Sequence, residues 1–166
     1  MATTTTVRAS PSDAAANAEG FLRRLGVSEN IPVAWEDKDF YSRLLRGLLK
    51  VDAIDRGRVT CSFTVTPSVT NPYNTLHGGA VAAIAEVVGL GCAKTVVAGD
   101  KELFLGESST AYLSAARLNA EVEVDGSILR QGRSVVVTTV EFRLKKTRQL
   151  IYTCRSTFYV MPVASL

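Results

Sequence analysis

The chain has 166 residues, 46% of them hydrophobic, which is enough to bury one sizeable core and too few for two ordinary domains. Its 19 basic and 16 acidic residues leave a formal net charge of +3 with no long block of one sign, a balance that argues against a nucleic-acid surface. Cys61, Cys92 and Cys154 are odd in number and widely spaced, and the single histidine completes no zinc site with them. They read as reduced, structural thiols of an intracellular protein, with no metal or cofactor expected.

The first twenty residues, "MATTTTVRASPSDAAANAEG", are rich in Ala, Thr and Ser and lack the apolar core of a secretory signal. Residues 1–35 are expected to be a flexible extension carrying a short helix, from Asp13 to Leu25, closed by Gly26. A transit peptide is the alternative, opposed by Asp13 and Glu19, and Ala164-Ser165-Leu166 lacks the basic middle residue of a peroxisomal address. The expected compartment is the cytoplasm; a plastid, mitochondrion or peroxisome is the alternative.

A second helix is predicted over Phe40 to Leu49. After it "RVTCSFTVTP" alternates, with Val59, Cys61, Phe63 and Val65 on one face and Thr60, Ser62, Thr64 and Thr66 on the other, a half-buried strand ended by Pro67. Gly79 to Val97 is rich in Ala, Val, Ile and Leu, and has no polar face until Lys94. That predicts a core helix wrapped in protein on nearly all sides. A membrane span would tolerate the central Glu86 badly, so none is expected. Four strand-like runs follow, Leu103 to Leu113, Asn119 to Leu129, Ser134 to Leu144 and Gln149 to Val160. With no helix between them they predict an antiparallel meander, and hence an α+β fold whose sheet curls around one central helix.

The chemistry concentrates at the start of that helix, in "NPYNTLHGG". The first N–H groups of a helix lack internal partners and lie at its positive end, so Gly78 and Gly79 offer donors to a developing oxyanion; tight packing is the alternative reason for two glycines. His77 is expected to orient the backbone rather than act as a base. Glu86 lies nine residues beyond His77, ~13 Å along the helix and on roughly its opposite side. One subunit cannot easily bring both to one substrate atom. Glu86 therefore reads as an acid facing a cleft between two copies of the chain, or as a buried carboxylate satisfied by hydrogen bonds. Cys92, deep in the apolar helix, is set aside as inert.

Asn71, His77, Gly78, Gly79 and Glu86, with "AYLSAARL" (111–118) and "LRQGRSVVVTTVEF" (129–142), resemble the hotdog-fold acyl-CoA thioesterases. The resemblance is to their small single-domain type, which includes the acyl-coenzyme A thioesterase 13 group and the bacterial phenylacetate-pathway enzymes. It runs from about residue 40 to 160, within an expected hotdog domain over 36–166. It implies hydrolysis of an acyl-coenzyme A thioester by a homo-oligomer, a dimer or a dimer of dimers. In that likeness the Gly78 N–H polarises the thioester carbonyl, Asn71 positions substrate or water, and Glu86 is general base or nucleophile. Gly79, Tyr112, Arg117, Arg130, Gly132, Arg133 and Tyr159 fall where coenzyme A is bound, with the hairpin turn the alternative, and better suited, role of Gly132 and simple solvation the alternative for the arginines. Leu105 stands where the family has a water-orienting Ser or Thr, unless a strand bulge lets Ser108 or Ser109 replace it. The competing functions are a hotdog enoyl or hydroxyacyl thioester dehydratase and a non-catalytic acyl-CoA or lipid-binding module.

Overall fold

The computed structural model describes residues 11–24, 27 and 29–162, in two compact units, 1–40 and 41–166. The expected helix stop at Gly26 and the Ala164-Ser165-Leu166 tail lie outside the described residues. In the first unit, helix α1 (Pro11–Arg24) starts on a proline and ends on Arg23 and Arg24, both suited to the helix termini they occupy. A 3₁₀ turn over Val33–Trp35 follows, and the Trp35 and Phe40 rings stack at 6.3 Å.

The second unit takes all but the first residue of α2 (Phe40–Leu48), then β1 (Lys50–Asp55), β2 (Arg58–Thr64), the long α3 (Gly78–Lys94), β3 (Lys101–Tyr112), β4 (Glu121–Gln131), β5 (Val135–Leu144) and β6 (Leu150–Pro162). All pairings are antiparallel, and the strand order is β1-β2-β4-β5-β6-β3. The last four strands are thus not a simple meander: β4, β5 and β6 are, but β3 pairs with β6 at the far edge. The reason is α3, which carries the chain from β2 over the sheet face and delivers β3 parallel to β2, with three strands between them. The sheet closes around this helix, giving the α+β hotdog architecture.

The predicted alternation of β2 holds: Val59, Cys61, Phe63 and Val65 are all buried. They meet Val81, Ile84, Val88 and Cys92 of α3, with Val122, Val124, Val140 and Phe142 filling the sheet side of the core. On the opposite face the charges pair, Arg58 of β2 with Asp125 of β4 at 2.6 Å, Arg148 of the β5–β6 turn with Glu123 at 2.6 Å and Arg143 with Glu141 of the same strand at 2.7 Å.

The helix lies very close to the sheet. A Cβ added at Gly126 would come within 2.7 Å of Cys92 Sγ and 2.8 Å of Val88 Cγ1. Gly126→Val should therefore destabilise the fold by about 1–3 kcal/mol through overpacking. Urea unfolding checks this as a lower midpoint at unchanged slope.

One expectation needs correction. A single chain does not wrap α3 on nearly all sides, since Gly79, Glu86, Val87 and Lys94 are exposed and Ala82, Ala83 and Leu90 only partly covered. The sheet curls far enough to bury one flank of the helix, leaving a mostly apolar stripe with one acid in it.

Candidate active site

The loop before α3 is held by backbone bonds on both sides. The Leu76 N–H donates to Ala116 O at 2.8 Å, His77 N–H to Val69 O at 2.9 Å, and Leu118 N–H to Asn74 O at 2.9 Å. Inside the loop Asn71 Oδ1 accepts from the Tyr73 N–H (3.0 Å), the Thr75 N–H (3.2 Å) and the Thr75 hydroxyl (3.1 Å). That is turn chemistry for an Asn. Its oxygen is committed to the turn, so what Asn71 can offer a ligand is its amide N–H groups.

His77 caps the helix, its Nδ1 accepting the Gly79 N–H at 2.9 Å. An accepting Nδ1 carries no proton, so the neutral ring bears it on Nε2. This cap accounts for the second glycine, because a Cβ at Gly79 would sit 3.1 Å from Nδ1. Gly78 differs. A Cβ there would meet the Tyr112 ring at an ordinary 3.4–3.5 Å, and the Tyr112 hydroxyl donates to Gly78 O at 3.0 Å. Among the described residues the Gly78 N–H has no acceptor, and it sits at the positive end of a 17-residue helix.

Glu86 stands exposed on α3, ~12 Å along the axis from Gly78. It forms no ion pair among the described residues. The strand beside it is β3, which runs antiparallel to the helix: Tyr112 meets Gly78, and Lys94 Nζ donates to Lys101 O at 3.0 Å. Ser108, ~13 Å back along the strand from Tyr112, is therefore about level with Glu86.

A bulge between Leu105 and Glu107 restores the register, so that Leu105 opposite Phe158 and Ser108 opposite Ser156 both face the helix side. Ser108 Oγ lies 3.2 Å from Cys154 Sγ and accepts from Ser156 Oγ at 3.2 Å. Ser109 pairs opposite the exposed Arg155 and faces away. The bulge that would let Ser108 stand in for Leu105 is thus present, and it is Ser108, not Ser109, that has the right face.

The remaining predicted residues divide. Arg117 lies beside the helix head, bridged to Thr75. Arg130, Gly132 and Arg133 lie at the β4–β5 hairpin, where the Gly132 N–H closes the turn on Val135 O at 2.8 Å. Tyr159 pairs opposite Val135 at that same end, with its ring packed over Gly106. Tyr159 is seven residues along β6 from Tyr152, the partner of Tyr112, so hairpin and helix head are ~23 Å apart within one chain. Cys92 is fully buried and desolvation pushes its thiol up to about 11, so it is a neutral core group and no nucleophile near neutral pH. Among the described residues no group of His, Cys, Asp or Glu is placed to hold a metal ion, and no helix is long and apolar enough to cross a membrane.

The sequence model of the Thioesterase superfamily matches residues 73–151. Human acyl-coenzyme A thioesterase 13 is 28% identical over 117 residues, which are 70% of this chain and 82% of that protein. Among solved structures, a thioesterase enzyme from Staphylococcus aureus is 28% identical, with TM-score 0.65 over 72% of this chain and 99% of the other. Zebrafish thioesterase superfamily member 2, at 24% identity, shares the fold with TM-score 0.69 over 81% of this chain and 96% of its own. The segment that the Thioesterase superfamily model matches runs from the loop before α3 to the start of β6, and the fold around it is the hotdog fold that these solved thioesterases share.

Proposed function

We propose that this protein hydrolyses an acyl-coenzyme A thioester to a free carboxylic acid and coenzyme A, at a site built from two copies of the chain. The observation that carries the reading is a pair of unused groups on one helix. Among the described residues the Gly78 N–H has no acceptor, and Glu86 is an exposed acid in an apolar stripe. They are ~12 Å apart in one chain, too far to act on one carbonyl. Two α3 helices packed antiparallel across a two-fold axis near Ala82 would set each Gly78 beside the partner's Glu86, and the small Ala82 and Ala83 allow a close crossing. β3 supports such pairing, since it is a 12-residue edge strand with exposed Phe104 and Leu105 and, among the described residues, no strand paired to its outer side.

In this site the Gly78 N–H of one protomer stabilises the oxyanion, while Glu86 of the other takes a proton from water or attacks the carbonyl. Asn71, through its amide N–H groups, and Ser108 position substrate and water. His77 orients the helix start. Arg117, Arg130 and Arg133 bind the phosphates of coenzyme A, with Gly79, Tyr112, Gly132 and Tyr159 shaping its path. The catalytic unit is residues 36–166, and residues 1–35 are an accessory extension. A panel of acyl-coenzyme A thioesters with free-thiol detection tests the reaction. Thiol release is expected; binding without release would favour the lipid-binding module, and double-bond hydration without release the dehydratase.

A further inference from the structure

On the face of the sheet turned to α3, Ser108 and Thr110 of β3 stand in register with Ser156 and Cys154 of β6. Cys154 and Ser156 are buried, whereas Ser108 is exposed at the rim, about level with Glu86. Their hydrogen bonds form one connected chain that starts inside the sheet and ends at the cleft.

Counting protons gives that chain a direction, because a hydroxyl has one proton to give and two lone pairs to fill. Thr110 Oγ1 donates to Cys154 Sγ at 3.4 Å. Ser156 Oγ donates to Ser108 Oγ at 3.2 Å, nearer than Cys154 Sγ at 3.7 Å and a better acceptor. The Cys154 thiol proton is left for Ser108 Oγ at 3.2 Å or Ser156 Oγ at 3.7 Å. In either placement Ser108 receives protons from the interior and gives none back. To donate inward it would have to use the Cys154 sulfur, a weak acceptor that already takes the Thr110 proton. The Ser108 proton is therefore directed to the cleft, where the acceptors are oxygens.

Thr138 of β5 marks the contrast. It lies opposite Ser156 and is fully buried, yet its hydroxyl has no partner among the described residues. Gly89 of α3 makes room for it, since a Cβ there would come within 2.8 Å of Thr138 Oγ1. Two buried hydroxyls thus face one another across adjacent strands, and only Ser156 is joined to the cleft.

We propose that Ser156 is a positioning residue for thioester hydrolysis: by donating to Ser108 Oγ it sets the Ser108 hydroxyl as a donor to the attacking water. The proposal rests on the hydrolytic reading of the site. With Glu86 as base, the water gives it one proton and turns one lone pair on the carbonyl carbon, and the second lone pair is the one that the Ser108 proton holds. A Ser108 acting as acceptor would instead compete with Glu86 for the water's protons. Successive hydrogen bonds polarise one another, so the proton that Ser108 receives strengthens the one it gives.

Steady-state kinetics of Ser108→Ala, Ser156→Ala and the double variant, each assembled as the wild type is, test this against one acyl-coenzyme A thioester. Ser156→Ala should lower kcat about threefold to tenfold, the weight of one neutral hydrogen bond, with KM unchanged. Ser108→Ala should lose at least as much. Once Ser108 is alanine, adding Ser156→Ala should change kcat by less than about twofold, because the group it acts through is gone. Thr138→Val removes an equally buried hydroxyl from the same row and should keep wild-type kcat. Wild-type kcat in Ser156→Ala, the same loss in the Ser108→Ala background, or an equal loss in Thr138→Val would each overturn the proposal, the last two by making the effect one of packing. Absence of thiol release by the wild type would overturn the hydrolytic reading and this proposal with it, and it is read before any variant is compared, so the two failures stay distinct.

Discussion

Glu86→Gln should lower thioester turnover at least about 100-fold, the contribution expected of a general base, while assembly and acyl-coenzyme A binding persist. The amide is nearly isosteric, and Glu86 is exposed in the chain, so no core contact of the single subunit is lost. What is lost is the ability to accept a proton from water or to attack a carbonyl. Cys92→Ala is the control: its thiol is neutral core packing, so the variant keeps most of its turnover though not all of its stability. Steady-state kinetics on the folded variant decides between these. Turnover above about a tenth of wild type would make Glu86 a structural acid.

Gly78→Pro should cost about 10²–10³ in kcat, the loss seen when one oxyanion donor is removed. Backbone donors are usually beyond the reach of mutagenesis, but this one sits at the first position of α3, where proline is tolerated because its N–H is unbonded within the helix. His77 already has φ −66° and ψ 133°, the extended conformation that a residue before proline requires. The ring occupies space where a Cβ makes only an ordinary contact with Tyr112. Gly78→Ala keeps the N–H and should keep most of the activity. The measurement is kcat for the pair; equal losses in both would mean that space at Gly78, and not its donor, matters.

The parts of the fold that the sequence reveals are those where periodicity survives. β2 alternates without interruption, so its buried face can be assigned residue by residue, and α3 is long enough for composition to decide. β1 is hidden because Val51 and Ile54 are three apart and look out of phase; the irregularity between Val51 and Ala53 returns them to one face. The same effect at Gly106 in β3 decides whether Ser108 stands near Glu86, and no residue pattern announces it. The placement of β3 beside β6 is also hidden, since it depends on how far α3 carries the chain across the sheet.

At the site, the His77-Gly78-Gly79 start and its distance from Glu86 follow from helix geometry alone. The division of labour between the glycines does not. It takes the position of the His77 ring to show that Gly79 is spent on the cap, and the Tyr112 hydroxyl to show that the Gly78 carbonyl is held while its N–H stays open.

The central claim is that one site draws Gly78 and Glu86 from different subunits, and mixing two inactive variants tests it most directly. In a two-fold dimer of one Glu86→Gln chain and one Gly78→Pro chain, one site combines the intact Gly78 of the first with the intact Glu86 of the second, and the other site has neither. After random subunit exchange half of the dimers are mixed, so the account predicts recovery of about a quarter of wild-type turnover from two preparations that are each nearly inactive. Activity that stays at the sum of the two backgrounds, after exchange has been demonstrated by labelled chains, would contradict it and return both groups to a single subunit.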